Sequence, residues 1–321
     1  MNRTRTSLLA LVVALAGALA ACSGSGSGDP ETISIATGGT SGTYYPLGGG
    51  MAQIFTDEVV NATAESTGAS VVNMQLIKDG DVDLAFVQSD IADYASKGVM
   101  MFEEGGAIEN VQAVASLYNE TIQIVVPESS DIRSVEDLAG KKVSIGEPGS
   151  GTEANARQIL EIHGMSEDDL GQVQRLGFGD STSYIQDGTL DAAFVTAGTP
   201  TSAVSELAAT KGVRIVGMTD ENIEALIEKY PYYAAQTVEG GTYAGFDETV
   251  NTVAVKAQLV VRSELSEDLV YRLTKALFEN LDAMAAVHAK ASEIALEKAL
   301  EGVSLTVHPG AAKYFEEAGV Q

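Results

Sequence analysis

An internal repeat limits the folds that this chain can adopt. Residues 76–90 read LIKDGDVDLAFVQSD and residues 184–198 read YIQDGTLDAAFVTAG, and the two segments lie 108 positions apart. At nearly the same separation, the tripeptide at 33–35 (ISI) recurs at 143–145 (VSI), and the tripeptide at 41–43 (SGT) recurs at 150–152. This period is far longer than that of a solenoid repeat. The pattern therefore predicts two similar lobes.

The secondary-structure pattern within each repeat is that of an α/β fold. From Ile33 onward, short β-rich runs alternate with helical patterns, which is typical of parallel sheets covered by helices. The predicted strands are 33–36, 84–87, 111–116, 121–126, 142–145, 173–176, 192–195 and 213–217. The predicted helices are 47–60, 91–96, 153–163, 201–209 and an α-rich region over 267–301. In this last region, Leu269, Leu273 and Leu277 share one face, which we expect to be buried.

The composition excludes several classes of protein. The chain has 19 basic and 45 acidic side chains and a formal charge of −26, which argues against nucleic-acid binding, because phosphates require a basic surface. One Cys excludes an intramolecular disulfide and a Cys-rich metal cluster. The three His are scattered and no HExxH motif is present. We therefore expect neither a metal nor a cofactor.

The N-terminus is typical of a lipoprotein signal peptide. Two Arg precede an apolar run at 8–21, which is shorter than the roughly 20 residues of a membrane span. The run ends in LAAC, which resembles a bacterial lipobox. We expect residues 1–21 to be removed, Cys22 to carry lipid, and residues 22–30 to form a flexible tether. The protein would then lie outside the cytoplasmic membrane, in the periplasm or on the outer face, held by the lipid anchor alone. The alternative is a plain signal peptide with an incidental Cys.

Four predicted strand-to-helix junctions are unusually polar. They are 37–45 (TGGTSGTYY), 88–90 (QSD), 148–152 (PGSGT) and 197–199 (AGT). In open α/β sheets, ligands bind beyond the carboxyl ends of the strands, where helix N-termini present unpaired N–H groups. Facing each other across a cleft, the junctions would suit a small anionic or zwitterionic ligand. Taken singly, each junction is more simply an ordinary helix cap, and Ser150 with Glu153 has the spacing of a capping box.

The sequence gives no positive evidence for catalysis. Residues 149–154 match G-x-G-x-x-A after a strand, which is a weak indication of dinucleotide binding. Neither a P-loop nor the G-x-S-x-G motif of α/β-hydrolases is present. Among so many acidic residues a chance pair of carboxylates is nearly certain, so no acid–base pair is assigned.

Several longer motifs resemble one family across essentially all of the mature chain. The similarity is to the TAXI subfamily of solute receptors of tripartite ATP-independent periplasmic (TRAP) transporters. The motifs are TGGTSGTYYPLGG (37–49), DGDVDLAFVQSD (79–90), IRSVEDLAGKKVSIGEPGSGTEANAR (132–157), DGTLDAAFVTAGTPTSAVSELA (187–208), YPYY (230–233), GTYAGFDETVNTVAV (241–255), TKALFE (274–279) and HPGAAKYF (308–315). Ser41 departs from this family, which usually has Gly there.

The resemblance implies a type II periplasmic-binding-protein fold, an α/β fold with two hinge-connected lobes and a central ligand cleft. Lobe 1 would comprise residues 31–120 and 251–321, and lobe 2 residues 121–250, with crossover strands near 121–126 and 250–261. The implied ligand contacts in lobe 1 are Thr40, Ser41, Thr43, Tyr44, Gln88 and Ser89. Those in lobe 2 are Ser150, Gly151, Thr152, Asn155, Ala197 and Gly198. Tyr44 could contact the ligand by its hydroxyl or form a wall, or it could only pack in the core.

The same resemblance implies a function without catalysis. The protein would be a monomer that captures glutamate, glutamine, 2-oxoglutarate or a related small carboxylate and delivers it to a TRAP-type permease. A secreted enzyme that acts on a small carboxylate is the alternative, and turnover would distinguish it. A third possibility is a surface lipoprotein without a solute, which a carboxylate retained through purification would exclude.

The lipobox predicts the effect of replacing Cys22. The wild-type protein should partition with membranes, and Cys22→Ala should be released as soluble protein or remain unprocessed, because it lacks the lipidated residue. Cell fractionation with immunoblotting measures the difference. Equal partitioning of the two forms would contradict the anchor.

Overall fold

The computed structural model describes residues 29–320. The predicted signal peptide, Cys22 and most of the tether lie outside the described residues. The strands are β1 (Thr32–Ala36), β2 (Asn61–Glu65), β3 (Leu84–Gln88), β4 (Val111–Pro127), β5 (Lys142–Ser144), β6 (Gln172–Gln174), β7 (Ala192–Ala197), β8 (Val213–Val216), β9 (Ala234–Val238) and β10 (Val250–Arg262). The helices are α1 (Tyr44–Glu58), α2 (Ser70–Asp79), α3 (Ser89–Lys97), α4 (Gly151–Ile162), α5 (Phe178–Gln186), α6 (Ser202–Lys211), α7 (Asp220–Lys229), α8 (Glu267–Glu279), α9 (Leu281–Val287) and α10 (Pro309–Ala318). Within this range, no helix has the length and hydropathy needed to cross a membrane.

The order of the strands repeats along the chain. In the first lobe, β1 lies between β2 and β3, and all three strands are parallel. In the second lobe, β5 lies between β6 and β7 in the same way. Each set is then extended by an antiparallel strand, which is β10 beside β3 and β4 beside β7. The repeat seen in the sequence is therefore a repeat of topology, and the prediction of a two-lobed α/β fold is confirmed.

Two long strands, β4 and β10, belong to both lobes. They pair with each other from Val111 with Arg262 to Thr121 with Ala254, with two shifts of register. The sequence analysis predicts two separate strands over 111–116 and 121–126, and this prediction is wrong. The polar residues Asn119 and Glu120 interrupt the apolar pattern, but they continue to pair with β10, so β4 is one strand of 17 residues.

Each lobe has its own apolar core. In the first lobe, α1, α8 and α10 cover the sheet, and Leu47, Phe55, Phe86 and Phe315 are fully buried there or nearly so. The predicted apolar face of α8 is confirmed, because its three Leu residues are buried in this core. In the second lobe, the core forms around residues such as Ile124, Val143, Ile159, Phe194 and Leu226.

Two neighbouring glycines of α1 allow a test of its packing on the first sheet. A Cβ atom at residue 48 would lie 2.4 Å from Cγ2 of Thr37, whereas one at residue 49 would meet nothing within 4 Å. We expect Gly48→Ala to lower the free energy of unfolding by about 1–3 kcal/mol through overpacking. Gly49→Ala should raise it by up to about 1 kcal/mol, because Ala favours the helix. Urea unfolding of both variants measures this, and a stable Gly48→Ala would contradict the close approach.

Candidate functional site

A cleft lies between the two lobes. Its walls come from the segments that follow β1, β2, β5 and β6, together with the last residues of β3 and β7 and with Glu120 of β4. The lining residues are Gly38, Gly39, Gly42, Thr43, Tyr44, Ala69, Ser70, Gln88, Glu120, Glu147, Ser150, Gly151, Thr152, Gly177, Phe178, Thr196 and Ala197. This is the position at which open α/β sheets bind ligands.

Four helices begin at the cleft. The first residues of α1, α2, α4 and α5 all contribute to its lining. The first N–H groups of a helix have no partner within that helix, and the helix dipole adds partial positive charge at the same end. The cleft therefore offers several backbone donors to an anion without requiring a basic side chain.

Ser150 caps the N-terminus of α4. The Ser150 hydroxyl accepts a hydrogen bond from the Glu153 N–H at 3.1 Å, as the sequence predicts. The reciprocal half of the predicted capping box is absent. Instead, the Glu153 carboxylate accepts from the Gly149 N–H at 3.0 Å and pairs with Arg157 and Arg175, each at 2.8 Å. These two cations draw the carboxylate away from the position that a capping box requires.

The structure places seven of the twelve predicted contact residues on the cleft lining. They are Thr43, Tyr44, Gln88, Ser150, Gly151, Thr152 and Ala197. Of the remaining five, Thr40 is exposed on the loop before α1. The side chain of Ser89 is turned to the sheet, where its hydroxyl accepts from the Lys256 N–H at 3.2 Å.

The other three predicted residues form contacts between or within lobes beside the cleft. The Ser41 hydroxyl accepts from the N–H of Gly179 at 3.0 Å, so the residue that departs from the TAXI pattern joins the two lobes. The Gly198 carbonyl accepts from the Thr43 hydroxyl at 3.4 Å. Asn155 is fully buried behind the cleft wall, in a network described below.

Ten lining residues are not among the predicted contacts, although Gly38, Gly39 and Gly42 lie in the predicted junction at 37–45. Two of the ten had a detectable pattern. Glu120 is an acidic residue in the mostly buried strand β4, which is unusual for a buried position. Phe178 follows β6 in the segment LGFGD, a further junction of strand and helix with glycines on both sides. The remaining residues are mostly glycines and small side chains, which carry no chemical pattern of their own.

Glu120 is the most deeply buried acid on the cleft lining, with 2% of its surface exposed. The Tyr44 hydroxyl donates a hydrogen bond to its Oε2 at 2.8 Å, so Tyr44 is both part of the wall and a polar partner. Burial raises the pKa of Glu120 to about 8, and the nearby Asp90 carboxyl acts in the same direction. Burial also raises the pKa of Glu147, which lies half-buried in the opposite wall.

A buried hydrogen-bond network joins the lobes behind the cleft. Asn155 of α4 donates to Oδ2 of Asp90 at 3.0 Å and to the Tyr233 hydroxyl at 2.8 Å, and it accepts from Thr196 at 3.1 Å. The other oxygen of Asp90, Oδ1, has no hydrogen-bond partner among residues 29–320. Burial raises the pKa of Asp90 to about 7.

The lobes are therefore in contact on more than one side of the cleft. Ser41 reaches α5 at one side, and the Gly149 carbonyl accepts from the Val71 N–H at 3.1 Å at another. Behind the cleft, Gln158 donates to the Tyr94 hydroxyl at 3.0 Å. The structure is a closed arrangement of the two lobes.

The sequence over residues 35–319 matches the profile of the NMT1-like family. The chain belongs to the NMT1-like family. This match spans both lobes and both crossover strands, so the family relationship covers the whole cleft.

Solved structures share the fold of this NMT1-like protein at low sequence identity. A protein from Bordetella bronchiseptica RB50 is 17% identical with a TM-score of 0.57, over 90% of this chain and 98% of that one. PhnD1 from Prochlorococcus marinus (MIT 9301), solved with methylphosphonate, is 10% identical with a TM-score of 0.56, over 91% and 98%. A putative L-cystine ABC transporter protein from Listeria monocytogenes is 15% identical with a TM-score of 0.50, over 83% and 98%. The fold is that of two-lobed periplasmic binding proteins.

The raised pKa of Asp90 predicts how stability depends on pH. The folded protein holds this proton up to about pH 7, whereas the unfolded chain loses it near the ordinary value of 3.8, so stability falls as the pH rises between these values. Asp90→Asn removes the titration and keeps an oxygen acceptor. We expect its loss of stability between pH 5 and 7 to be about 1–3 kcal/mol smaller than that of the wild type.

Urea unfolding at a series of pH values measures this difference. Asp187→Asn, at an exposed position that follows α5, is the control and should keep the wild-type slope. A wild-type slope in Asp90→Asn would show that Asp90 is ionised in the folded protein.

Proposed function

We propose that this protein is an extracytoplasmic solute-binding protein that traps a small carboxylate between its lobes. The observation that carries the proposal is the closed cleft at which the N-termini of α1 and α4 meet. Backbone N–H groups and the hydroxyls of Ser150 and Thr152 are donors suited to a carboxylate.

Binding would be coupled to closure of the lobes. We take residues 31–120 and 251–321 as lobe 1 and residues 121–250 as lobe 2, with the hinge in β4 and β10. Contacts such as Ser41 with Gly179 join residues of different lobes, so they would form only as the cleft closes. A ligand that contacts both lobes would favour the closed form by its differential affinity for that form.

The solute would be a glutamate-, glutamine- or 2-oxoglutarate-like molecule. The TAXI resemblance supports this choice, and the cleft supports it by offering donors along two opposite walls. We place its contacts at the seven predicted residues that line the cleft, with the carboxylate at the N-terminus of α4. The methylphosphonate bound by PhnD1 is likewise small and anionic, although that relative shares only the fold.

The partner would be a TRAP-type secondary transporter in the cytoplasmic membrane. The motifs of the TAXI resemblance support this partner, and the predicted lipid on Cys22 would keep the monomeric receptor near it. Delivery requires the lobes to open at the transporter, which the long crossover strands allow by bending at a few residues.

Two substitutions of Ser150 test the carboxylate site. Ser150→Asp keeps a good helix cap but places a carboxylate where that of the ligand would lie, so we expect normal folding and at least tenfold weaker binding, about 1.4 kcal/mol. Ser150→Ala loses the cap and should lower the free energy of unfolding by about 0.5–2 kcal/mol. Isothermal titration calorimetry with the best ligand and urea unfolding measure the two effects.

The ligand for that titration comes from a thermal-shift screen of C4–C6 carboxylates and amino acids. A ligand at a hundredfold excess over its Kd stabilises the folded protein by about 2.7 kcal/mol, enough to raise the Tm by several degrees. If none of these compounds raises the Tm, the proposed class of solute is wrong. If Ser150→Asp binds the ligand with wild-type affinity, the N-terminus of α4 is not part of the binding site. Conversion of the bound compound, followed by NMR, would favour the enzyme alternative.

A further inference from the structure

The cleft contains acceptors for which a purely anionic ligand has no use. Glu120 and Glu147 both line it, and Gln88 contributes a carbonyl oxygen. No Lys or Arg side chain is among the lining residues that the structure describes. The donors come from helix N-termini and hydroxyls, so the charged side chains of the site are all acidic.

Gln88 shows that one of these acceptors lacks a partner. Its side chain is 3% exposed, and its Oε1 has no hydrogen-bond partner among the described residues. A Cβ atom at residue 151 would lie only 2.0 Å from this oxygen, so the amide lies directly against the first residue of α4. A buried carbonyl oxygen without a donor costs about 1–3 kcal/mol, which a donor on a ligand would recover.

Glu120 lies beside Gln88 and also lacks a cation of its own. One oxygen accepts from Tyr44, and no salt bridge reaches the carboxyl from any Lys or Arg within residues 29–320. Three charged or titratable groups near Glu120 are Tyr44 of α1, Tyr118 of β4 and Asp90 of α3. Two more, Lys290 and Glu293, belong to the short 3-10 helix Ala289–Glu293 that follows α9. Lys290 is already paired with Glu293 at 2.6 Å.

We propose that the ligand is a zwitterion whose protonated amine donates to Glu120 and to Oε1 of Gln88, while its carboxylate lies at the N-terminus of α4. Glu120 is then the residue that selects amine-bearing solutes over acids of the same carbon skeleton. This inference rests on the proposed function and narrows its solute class.

The electrostatics of the cleft support this orientation. The donors and the unpartnered acceptor meet where Gly151 contacts Gln88, so a carboxylate and an amine on neighbouring atoms could reach both at once. A dicarboxylate without an amine would bring a further negative charge towards Glu120. That charge could be accommodated only if Glu120 stayed protonated, and Gln88 would still lack a donor.

Matched ligands test the selectivity directly. Glutamate differs from glutarate only by the amine, and 2-oxoglutarate has a keto oxygen in its place. At pH 7 we expect glutamate to bind at least tenfold more tightly than either acid in isothermal titration calorimetry. Alanine and propionate are a second pair that differs only by the amine and has a shorter carbon skeleton. Where binding of this pair is measurable, alanine should bind more tightly than propionate.

Substitutions at Glu120 assign the preference to that side chain. Glu120→Gln keeps the shape and removes the charge, so the ratio of the two affinities should fall at least tenfold, with little loss for the acid lacking the amine. Glu120→Asp keeps the charge and should retain the preference at lower affinity. Glu264→Gln, at an exposed position that follows β10, is the control and should leave both affinities unchanged.

Proton exchange on binding gives an independent result. Glu120 must be ionised to accept from an ammonium group, so at pH 6–7 glutamate should displace a proton, because burial raises the pKa of the free carboxyl to about 8. Titrations in two buffers of different ionisation enthalpy measure this release, which Glu120→Gln should abolish and Asp90→Asn should leave in place. The absence of proton release would overturn the proposal, because Glu120, already protonated at this pH, would then donate to the ligand instead of accepting from it.

The possible outcomes distinguish a failure of the proposed function from a failure of the zwitterion proposal. If no carboxylate or amino acid binds the wild-type protein, the proposed function itself fails. If carboxylates bind without a preference for the amine, or if the preference survives Glu120→Gln, the zwitterion is excluded and the solute-binding function stands. Circular dichroism and thermal unfolding of each variant establish that it folds, and Glu120→Asp carries the test if the Gln variant does not.

Discussion

The pairing of β4 with β10 is the interaction on which the rest of the structure depends. Each strand completes the sheet of one lobe, β10 beside β3 and β4 beside β7, and the two strands hydrogen-bond to each other between the lobes. The lobes therefore share a backbone ladder but have separate apolar cores. Glu120 lies opposite Val255 in this ladder, at the base of the cleft. Glu120 therefore lines the cleft and also belongs to the paired crossover strands.

The cleft concentrates the polar groups that a folded core normally avoids. Asp90, Glu120 and Gln88 are each at least 97% buried, and two of them have an oxygen without a partner among residues 29–320. Such groups oppose folding, and the two large apolar cores offset their cost. Sites at which a sequence departs from the rules of stability are where function is to be expected. Gln88 and Glu120 lie on the cleft lining and Asp90 lies behind it, which is why we read the three together with the binding site.

The sequence predicts the fold well and the site in part. The repeat reveals two lobes because identical residues recur where both sheets need the same turn, and Gln88, Ser150 and Thr43 follow from their places at strand ends. Ser89 and Asn155 could not be placed, because successive side chains on a helix point in different directions, so a shift of one position decides whether a side chain faces the cleft or the interior. The continuity of β4 and the edge strand β2 were missed as well. The polar residues of β4 are tolerated because the strand continues to pair with β10, and those of β2 because they are exposed. The spacing of apolar residues in the sequence shows neither.

The bonds that the lobes make with each other have a consequence for affinity. Ser41 with Gly179, and Gln158 with Tyr94, form hydrogen bonds between the lobes, and none of these four residues lines the cleft. The measured affinity of any ligand that binds the closed form scales with the fraction of molecules already closed. A change at these residues would therefore alter the affinities for all solutes by the same factor, whereas a change in the cleft lining would alter the ratio of one solute's affinity to another's. Evolution at Ser41 could adjust a receptor to scarce or abundant solute without changing which solute it recognises.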